Sequence, residues 1–136
     1  MNKIFSYKIA LTICAVVLAA IFLNMQINTE VIAGREFPNA SGDAYNIYRC
    51  VGSLMLAIAC ITFFARKVED TKSQQLVLMG CAHGFAVMFI TLGTLTFTQV
   101  ANITNGTIVF AVLTALCVYT RVRTKFGSSV PRTKLD

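Results

Sequence analysis

Charge is scarce in this sequence, and acidic charge is the scarcest. Of the 136 residues 13% are charged, and only six are Asp or Glu, whereas an average soluble domain carries about 25% charged residues. The charges are also segregated, which leaves three uncharged runs at 9–29, 50–65 and 73–120. A soluble core does not need such runs, so the composition predicts a chain that lies in a lipid bilayer.

Several catalytic and transport chemistries lack their usual residues here. No acidic residue falls in the long apolar runs, although proton-driven pumps and many secondary transporters couple through an intramembrane carboxylate. There is no CxxC pair and no GxSxG motif, and the five scattered cysteines have no metal-ligand spacing. A single histidine cannot ligate haem from both faces. We therefore predict no catalytic residue and no metal site, and an enzyme is not favoured.

The net charge of +6 does not indicate nucleic-acid binding. The basic residues lie directly beside apolar segments, where Lys and Arg mark the cytoplasmic flanks of membrane spans. A nucleic-acid-binding domain instead gathers its basic residues on one exposed face. The expected partners are membrane lipids and other membrane subunits or further copies of the chain.

Four stretches are long enough to cross a bilayer, which takes about 20 helical residues. We predict spans at 7–25, 45–64, 74–97 and 103–121. The first is expected to be retained, because no small-residue cleavage site follows it. Asn102, Thr104, Asn105 and Gly106 predict the turn that divides the longest uncharged run. The predicted fold is an all-α membrane protein, a four-transmembrane-helix bundle in a single domain over 1–136.

Orientation follows from the basic residues. Ten of the twelve Lys and Arg lie at the N-terminus, in the loop between the second and third spans or in the C-terminal tail with the end of the fourth span, and the exceptions are Arg35 and Arg49. This bias predicts an N-in/C-in topology, and the expected location is a bacterial inner membrane. Asn-x-Ser/Thr triplets at Asn39, Asn102 and Asn105 fall in the predicted outer loops. They would be glycosylated only in a secretory-pathway protein.

The third span carries the most informative pattern. At 100° per residue, one arc of about 100° collects its small and polar residues. They are Gly80, His83, Gly84, Thr91, Thr94 and Thr98. Gly80 and Gly84 form a GxxxG pair, which lets another helix backbone approach closely. The face is either a packing seam, or a site where His83 acts as a ligand, a proton carrier or a quinone contact.

Arg49, at the outer start of the second span, is the other candidate. Glu30, Glu36 and Asp43 precede it and offer carboxylates to its guanidinium. Arg49 either pins this loop over the mouth of the bundle or receives an anionic headgroup or a carboxylate ligand. Small residues then begin a predicted packing face below it, and they are Gly52, Ser53 and Ala57.

The run that opens with Tyr48-Arg-Cys-Val-Gly-Ser, after an outer loop with Pro38 and Gly42, resembles the small four-helix membrane proteins of the DoxX-like group. In those proteins an Arg-x-x-Gly opens the second helix. The resemblance covers 37–120 in layout, and Arg49 and Gly52 in motif. It implies an N-in/C-in four-helix bundle that contacts quinone or lipid, and it carries no established activity.

Three functions fit these observations. The first is a small non-catalytic membrane protein that serves as an accessory or assembly subunit of a larger complex, or forms a homo-oligomer. The second is a membrane protein that holds a quinone, a lipid or a hydrophobic metabolite, with His83 and the threonines of the third span as one wall and Arg49 at the outer mouth. The third is an oligomeric channel lined by Thr91, Thr94 and Thr98.

Overall fold

The computed structural model of the chain describes residues 6–37, 42–98 and 103–127. Over these ranges it forms five helices and no strand. They are α1 (Tyr7–Ile27), α2 (Thr29–Glu36), α3 (Gly42–Ala65), α4 (Thr71–Phe97) and α5 (Thr104–Gly127). Within the described residues, α1, α3, α4 and α5 are long and apolar enough to cross a membrane. This confirms, over the described residues, the prediction of an all-α chain with four helices of that kind. Two of the three asparagines in Asn-x-Ser/Thr triplets, Asn39 and Asn102, lie outside the described residues.

Side-chain caps set the starts of two helices. The Oγ of Ser6 accepts the backbone N–H of Ile9 at 3.4 Å, so α1 begins at Tyr7. The Asp70 carboxylate accepts the backbone N–H of Ser73 at 2.8 Å. That hydrogen bond holds the pKa of Asp70 below its usual value. Such caps satisfy the free N–H groups of a first helical turn, and Asp70 explains why α4 begins three residues before the predicted 74.

The segment after α1 is helical, although the sequence predicted only a loop there. α2 follows α1 after a single residue. At this junction the hydroxyl of Thr29, which is buried, donates to the backbone carbonyl of Met25. The hydroxyl thereby ties the first turn of α2 to the last turns of α1. α2 has only eight residues, so its periodicity is too short to be distinguished from a polar loop.

The Asn105-Gly106 pair is the second difference. We predicted it as part of a turn, but α5 already begins at Thr104, so both residues belong to its first turn. A Cβ on Gly106 would lie 3.1 Å from the Ile103 side chain and 3.3 Å from that of Leu92. A side chain at 106 would therefore fit only if the Ile103 and Leu92 side chains shifted slightly, so the space left at Gly106 is limited by packing.

The long helices pack as two pairs. α1 packs mainly against α3, and α4 mainly against α5, while α1 and α5 join the pairs. The Tyr7 hydroxyl donates to the Ala65 carbonyl at 2.7 Å and fastens the start of α1 to the end of α3. All four helices contribute to one buried core, formed by Cys14, Leu18, Met55, Ala59, Ala82, Phe85, Phe110, Leu113 and Cys117.

Candidate functional site

The small and polar residues of α4 lie on the outside of the chain. Gly80, His83, Gly84, Thr91, Thr94 and Thr98 are all exposed. The buried side of α4 instead carries Leu78, Ala82 and Phe85. Beyond the backbone of α4 itself, a Cβ built on Gly80 or on Gly84 would have no neighbouring atom within 4 Å in the described structure. The predicted face exists, but within one chain no other helix covers its glycines. We call these six residues the α4 face.

Most polar groups of the α4 face are bonded to their own helix. The hydroxyls of Thr94 and Thr98 donate to the carbonyls of Ile90 and Thr94, both at 2.8 Å. The Nδ1 of His83 lies 2.8 Å from the Met79 carbonyl. A carbonyl only accepts, so Nδ1 donates in this contact, and in a neutral ring Nε2 is then an acceptor. His83 therefore presents an acceptor nitrogen on the outside of α4.

Arg49 fastens α3 to the junction of α1 and α2. Its Nε donates to the Thr29 hydroxyl at 3.1 Å. Its backbone carbonyl accepts from the side-chain amide of Gln26 at 2.9 Å and from the Ser53 hydroxyl at 3.1 Å. Among the described residues the one ion pair is Arg35 with Glu36, so no carboxylate pairs with Arg49 there. The side chain of Asp43 lies outside the described part.

The predicted packing residues of α3 separate into two environments. Gly52 is buried, and a Cβ on it would lie 3.0 Å from the Cβ of Met25. It therefore marks a close approach of α3 to α1. Ser53 and Ala57 are exposed on the other side of α3. Only Gly52 belongs to a helix contact within the chain.

A cavity of about 530 Å³ opens between the end of α1, α2, the start of α3, the end of α4 and the start of α5. We call it the outer cavity, after the predicted outer loops that lie at this end of the helices. Its walls are mostly apolar, with Met55, Met88 and Phe110 at the side that reaches the core. Five polar residues also line it, and they are Asn24, Arg35, Glu36, Tyr48 and Asn105. Neither Arg49 nor any residue of the α4 face lines it.

Glu36 is the acidic group of the outer cavity. It is only 9% exposed, and the Tyr48 hydroxyl donates to its Oε2 at 2.9 Å. Arg35 Nη2 lies 4.0 Å from its Oε1. Burial raises the pKa of Glu36, although the Tyr48 hydrogen bond and the Arg35 charge act to lower it. The cavity therefore holds a carboxyl group that releases its proton less readily than an exposed one.

Sequence reasoning missed this group. Glu36 was predicted only as one of three candidate partners of Arg49. The sequence does place Glu36 and Tyr48 only 12 residues apart, around the loop predicted between the first and second spans. This spacing predicts a contact between the two side chains only when α2 is known to place Glu36 next to α3.

Two thiols meet in the core between α1 and α5. The sulfurs of Cys14 and Cys117 lie 3.8 Å apart, and both residues are fully buried. All five cysteines are free thiols. Across the described ranges, no group of three or more His, Cys, Asp or Glu is placed to hold a metal ion.

The chain matches no protein-family model, and no curated protein or solved structure is significantly similar to it. The resemblance to the DoxX-like group, which rests on Arg49 and Gly52, stays a prediction.

Proposed function

We propose that the chain is an integral membrane protein with four transmembrane helices and both termini in the cytoplasm. Within the membrane it serves as a non-catalytic assembly subunit that pairs with a second copy of itself through the α4 face. The observation that carries this proposal is the outward position of His83 between two glycines that no other helix of the described ranges covers.

A lipid-facing position is unfavourable for such a face. Histidines inside membrane spans face protein or water, because an unsatisfied polar atom in hydrocarbon costs several kcal/mol. Away from water, the Nε2 of His83 gains a hydrogen-bond partner when another helix lies against α4. Gly80 and Gly84 permit that approach, since they leave the backbone uncovered by side chains.

A second copy is the partner that fits the α4 face best. The face carries no charge between 73 and 98, so two copies meet without repulsion. Glycine pairs at this spacing support two-fold helix dimers in membranes, and in a two-fold interface the same patch serves both subunits.

Substitution of Gly84 by Leu tests this proposal. We expect Gly84→Leu to weaken self-association at least about tenfold, because the new side chain holds the helices apart. The chain itself should still fold, since the space beside Gly84 is open. His83→Gln keeps a hydrogen-bonding side chain and should have a much smaller effect. Association is measured as energy transfer between labelled copies in bilayers of increasing dilution.

Ala20→Leu is the matched control, because Ala20 is exposed on α1 and away from the α4 face. It should leave association unchanged. A wild-type chain that stays monomeric, or a Gly84→Leu chain that associates normally, would contradict the proposal. A monomer that purifies with a different membrane protein at fixed stoichiometry would reject the second copy as partner.

The outer cavity favours a second function, the binding of an amphiphile with one hydrogen-bonding head. Its volume of about 530 Å³ lies within the usual range of small-molecule sites, about 300–1,000 Å³. The apolar body would lie against Met55, Met88 and Phe110. The head would meet Glu36 and the amides of Asn24 and Asn105. The quinone or lipid contact implied by the DoxX-like resemblance agrees with this function.

A bulky side chain in the wall should expel such a molecule. Val109 lines the outer cavity, and we expect Val109→Phe to lower the amount of co-purifying amphiphile at least about tenfold. Val112→Phe is the control, because Val112 lies on the same helix and is 60% exposed. Mass spectrometry of lipid extracts from both variants measures the difference. Equal retention by both variants, or no stoichiometric amphiphile in the wild type, would contradict this second function.

A further inference from the structure

A second groove lies at the opposite end of the bundle from α2. It has a volume of about 430 Å³ and is lined by Lys8, Ile9, Thr12, Ile13, Arg66 and Lys67. Three of these six residues are cationic, and they come from the first turn of α1 and from the turn that follows α3. We call it the basic groove.

The three cations have no acidic partner in the described part of the chain. The ion pair found there joins Arg35 to Glu36, near the outer cavity. The nearby Asp70 carboxylate is bonded to Ser73 at the start of α4. Like charges that share a groove repel each other, so an anion placed between them is stabilised.

Arg66 is held in position by neutral contacts. Its guanidinium carbon lies 3.6 Å from the centre of the Phe63 ring, a stacking contact that leaves the edge donors of the guanidinium available. Its Nη1 lies 3.5 Å from the Thr12 hydroxyl, which itself donates to the Lys8 carbonyl at 2.7 Å. These contacts orient Arg66 toward α1 and leave its charge unneutralised.

The start of α1 adds to the attraction for an anion. A helix carries partial positive charge at its N-terminus, and Lys8 and Ile9 lie in the first turn of α1. Beyond the cations, the α1 wall continues as Ile9 and Ile13, which are 41% and 36% exposed. The groove thus combines a cationic end with an apolar wall along one helix.

We propose that the basic groove binds the phosphate headgroup of an anionic phospholipid, whose acyl chain lies along Ile9 and Ile13. The inference rests on the membrane insertion proposed above and places the headgroup in the cytoplasmic leaflet. Basic pockets between transmembrane helices on that side are suited to anionic headgroups. A free phosphate shares the headgroup chemistry, but it gains nothing from the apolar wall.

The test uses the full-length chain in bilayer nanodiscs that contain phosphatidylglycerol or only phosphatidylcholine. We expect native mass spectrometry to show preferential retention of phosphatidylglycerol. Each cation at a membrane surface contributes roughly fivefold to the binding of an anionic lipid. The double variant Lys8→Gln and Arg66→Gln should therefore lower retention by roughly 25-fold.

The matched control removes two cations from elsewhere. Lys72 and Arg121 are exposed and do not line the basic groove, so Lys72→Gln with Arg121→Gln should change retention less than about twofold. If the groove variant does not fold, Lys67→Gln replaces it, because the Lys67 side chain is exposed and its ammonium lies 5.8 Å from the centre of the Phe64 ring. Roughly fivefold weaker retention is then expected.

Three results would overturn the inference. They are equal retention of the two lipids by the wild type, equal effects of the groove and control variants, and displacement of phosphatidylglycerol by millimolar inorganic phosphate. The last would identify a site for a soluble anion. Alkaline carbonate washing distinguishes these three results from a failure of the proposed membrane insertion. A chain that carbonate removes from membranes was never inserted, whereas a chain that stays without lipid preference rejects only the lipid site.

Discussion

Gly52→Leu should destabilise the chain strongly, by about 3 kcal/mol or more. Gly52 lies where α3 comes close to α1, and even a Cβ there would be 3.0 Å from the Cβ of Met25 and 3.3 Å from the Gln26 amide nitrogen. The Met25 Cβ is fixed to the backbone of α1, so it cannot rotate away. A leucine would therefore push the two helices apart along their contact.

The effect of separation would extend beyond the contact itself. The Gln26 amide donates to the Arg49 carbonyl at 2.9 Å, and Arg49 donates to Thr29 at 3.1 Å. Both bonds cross the same contact and would lengthen with it. The free energy of unfolding can be measured by titration with denaturing detergent in mixed micelles.

Gly93→Ala is the control for glycine replacement inside a helix. A Cβ on Gly93 would lie 3.7 Å from the Thr107 methyl group, which is an ordinary contact. Replacing a helical glycine by alanine stabilises a helix by up to about 1 kcal/mol when no clash results. We expect Gly93→Ala to be neutral or stabilising and Gly52→Ala to be destabilising. Equal responses to the two alanine substitutions would contradict the close approach at Gly52.

The number and type of the long helices could be predicted because they depend on composition alone. Uncharged runs of sufficient length identify them without any knowledge of their neighbours. The ends were less predictable. The Asp70 cap places the start of α4 at Thr71, before the predicted 74. The Thr29 hydroxyl joins α2 to α1. Single hydrogen bonds of this kind do not alter hydrophobic periodicity.

The direction of the α4 face could not be predicted from its pattern. Periodicity shows that His83, Gly80 and Thr94 share one side of a helix. In a soluble protein the polar side of an amphipathic helix faces water. α4 is apolar on both sides, with Phe85 buried and Val87 62% exposed. When lipid and protein interior are both apolar, hydrophobicity does not tell which side packs inward.

The outer cavity lay beyond sequence reasoning for a different reason. Its polar group joins Glu36 of α2 to Tyr48 of α3, and the Met88 wall comes from α4. Such convergence depends on how five helices are arranged in space. No spacing within one segment encodes it, whereas the GxxxG pair of α4 is visible as a local pattern.

Phe85→Ala should also have a large effect, about 2–3 kcal/mol of lost stability. Phe85 is 4% exposed and lies in the core shared by all four long helices, with its ring centre 6.1 Å from that of Phe110. In a soluble protein, truncation of a buried phenylalanine costs about 3–5 kcal/mol, which combines the loss of transfer from water with the cost of a cavity. Lipid tails are as apolar as a protein core, so the transfer part largely disappears in a bilayer. The lost contacts and the cavity remain.

Phe97→Ala provides the comparison that isolates packing, because Phe97 lies on the same helix and is 89% exposed. In a bilayer the Phe97 ring contacts lipid in both the folded and the unfolded state. We therefore expect Phe97→Ala to change the free energy of unfolding by no more than about 0.5 kcal/mol. Both variants would be unfolded reversibly in the same mixed micelles, so that their difference reports the protein contacts made by Phe85 alone. A Phe97→Ala loss as large as that of Phe85→Ala would mean that the C-terminal end of α4 is covered by protein. A negligible loss for Phe85→Ala would contradict the shared core of the four helices.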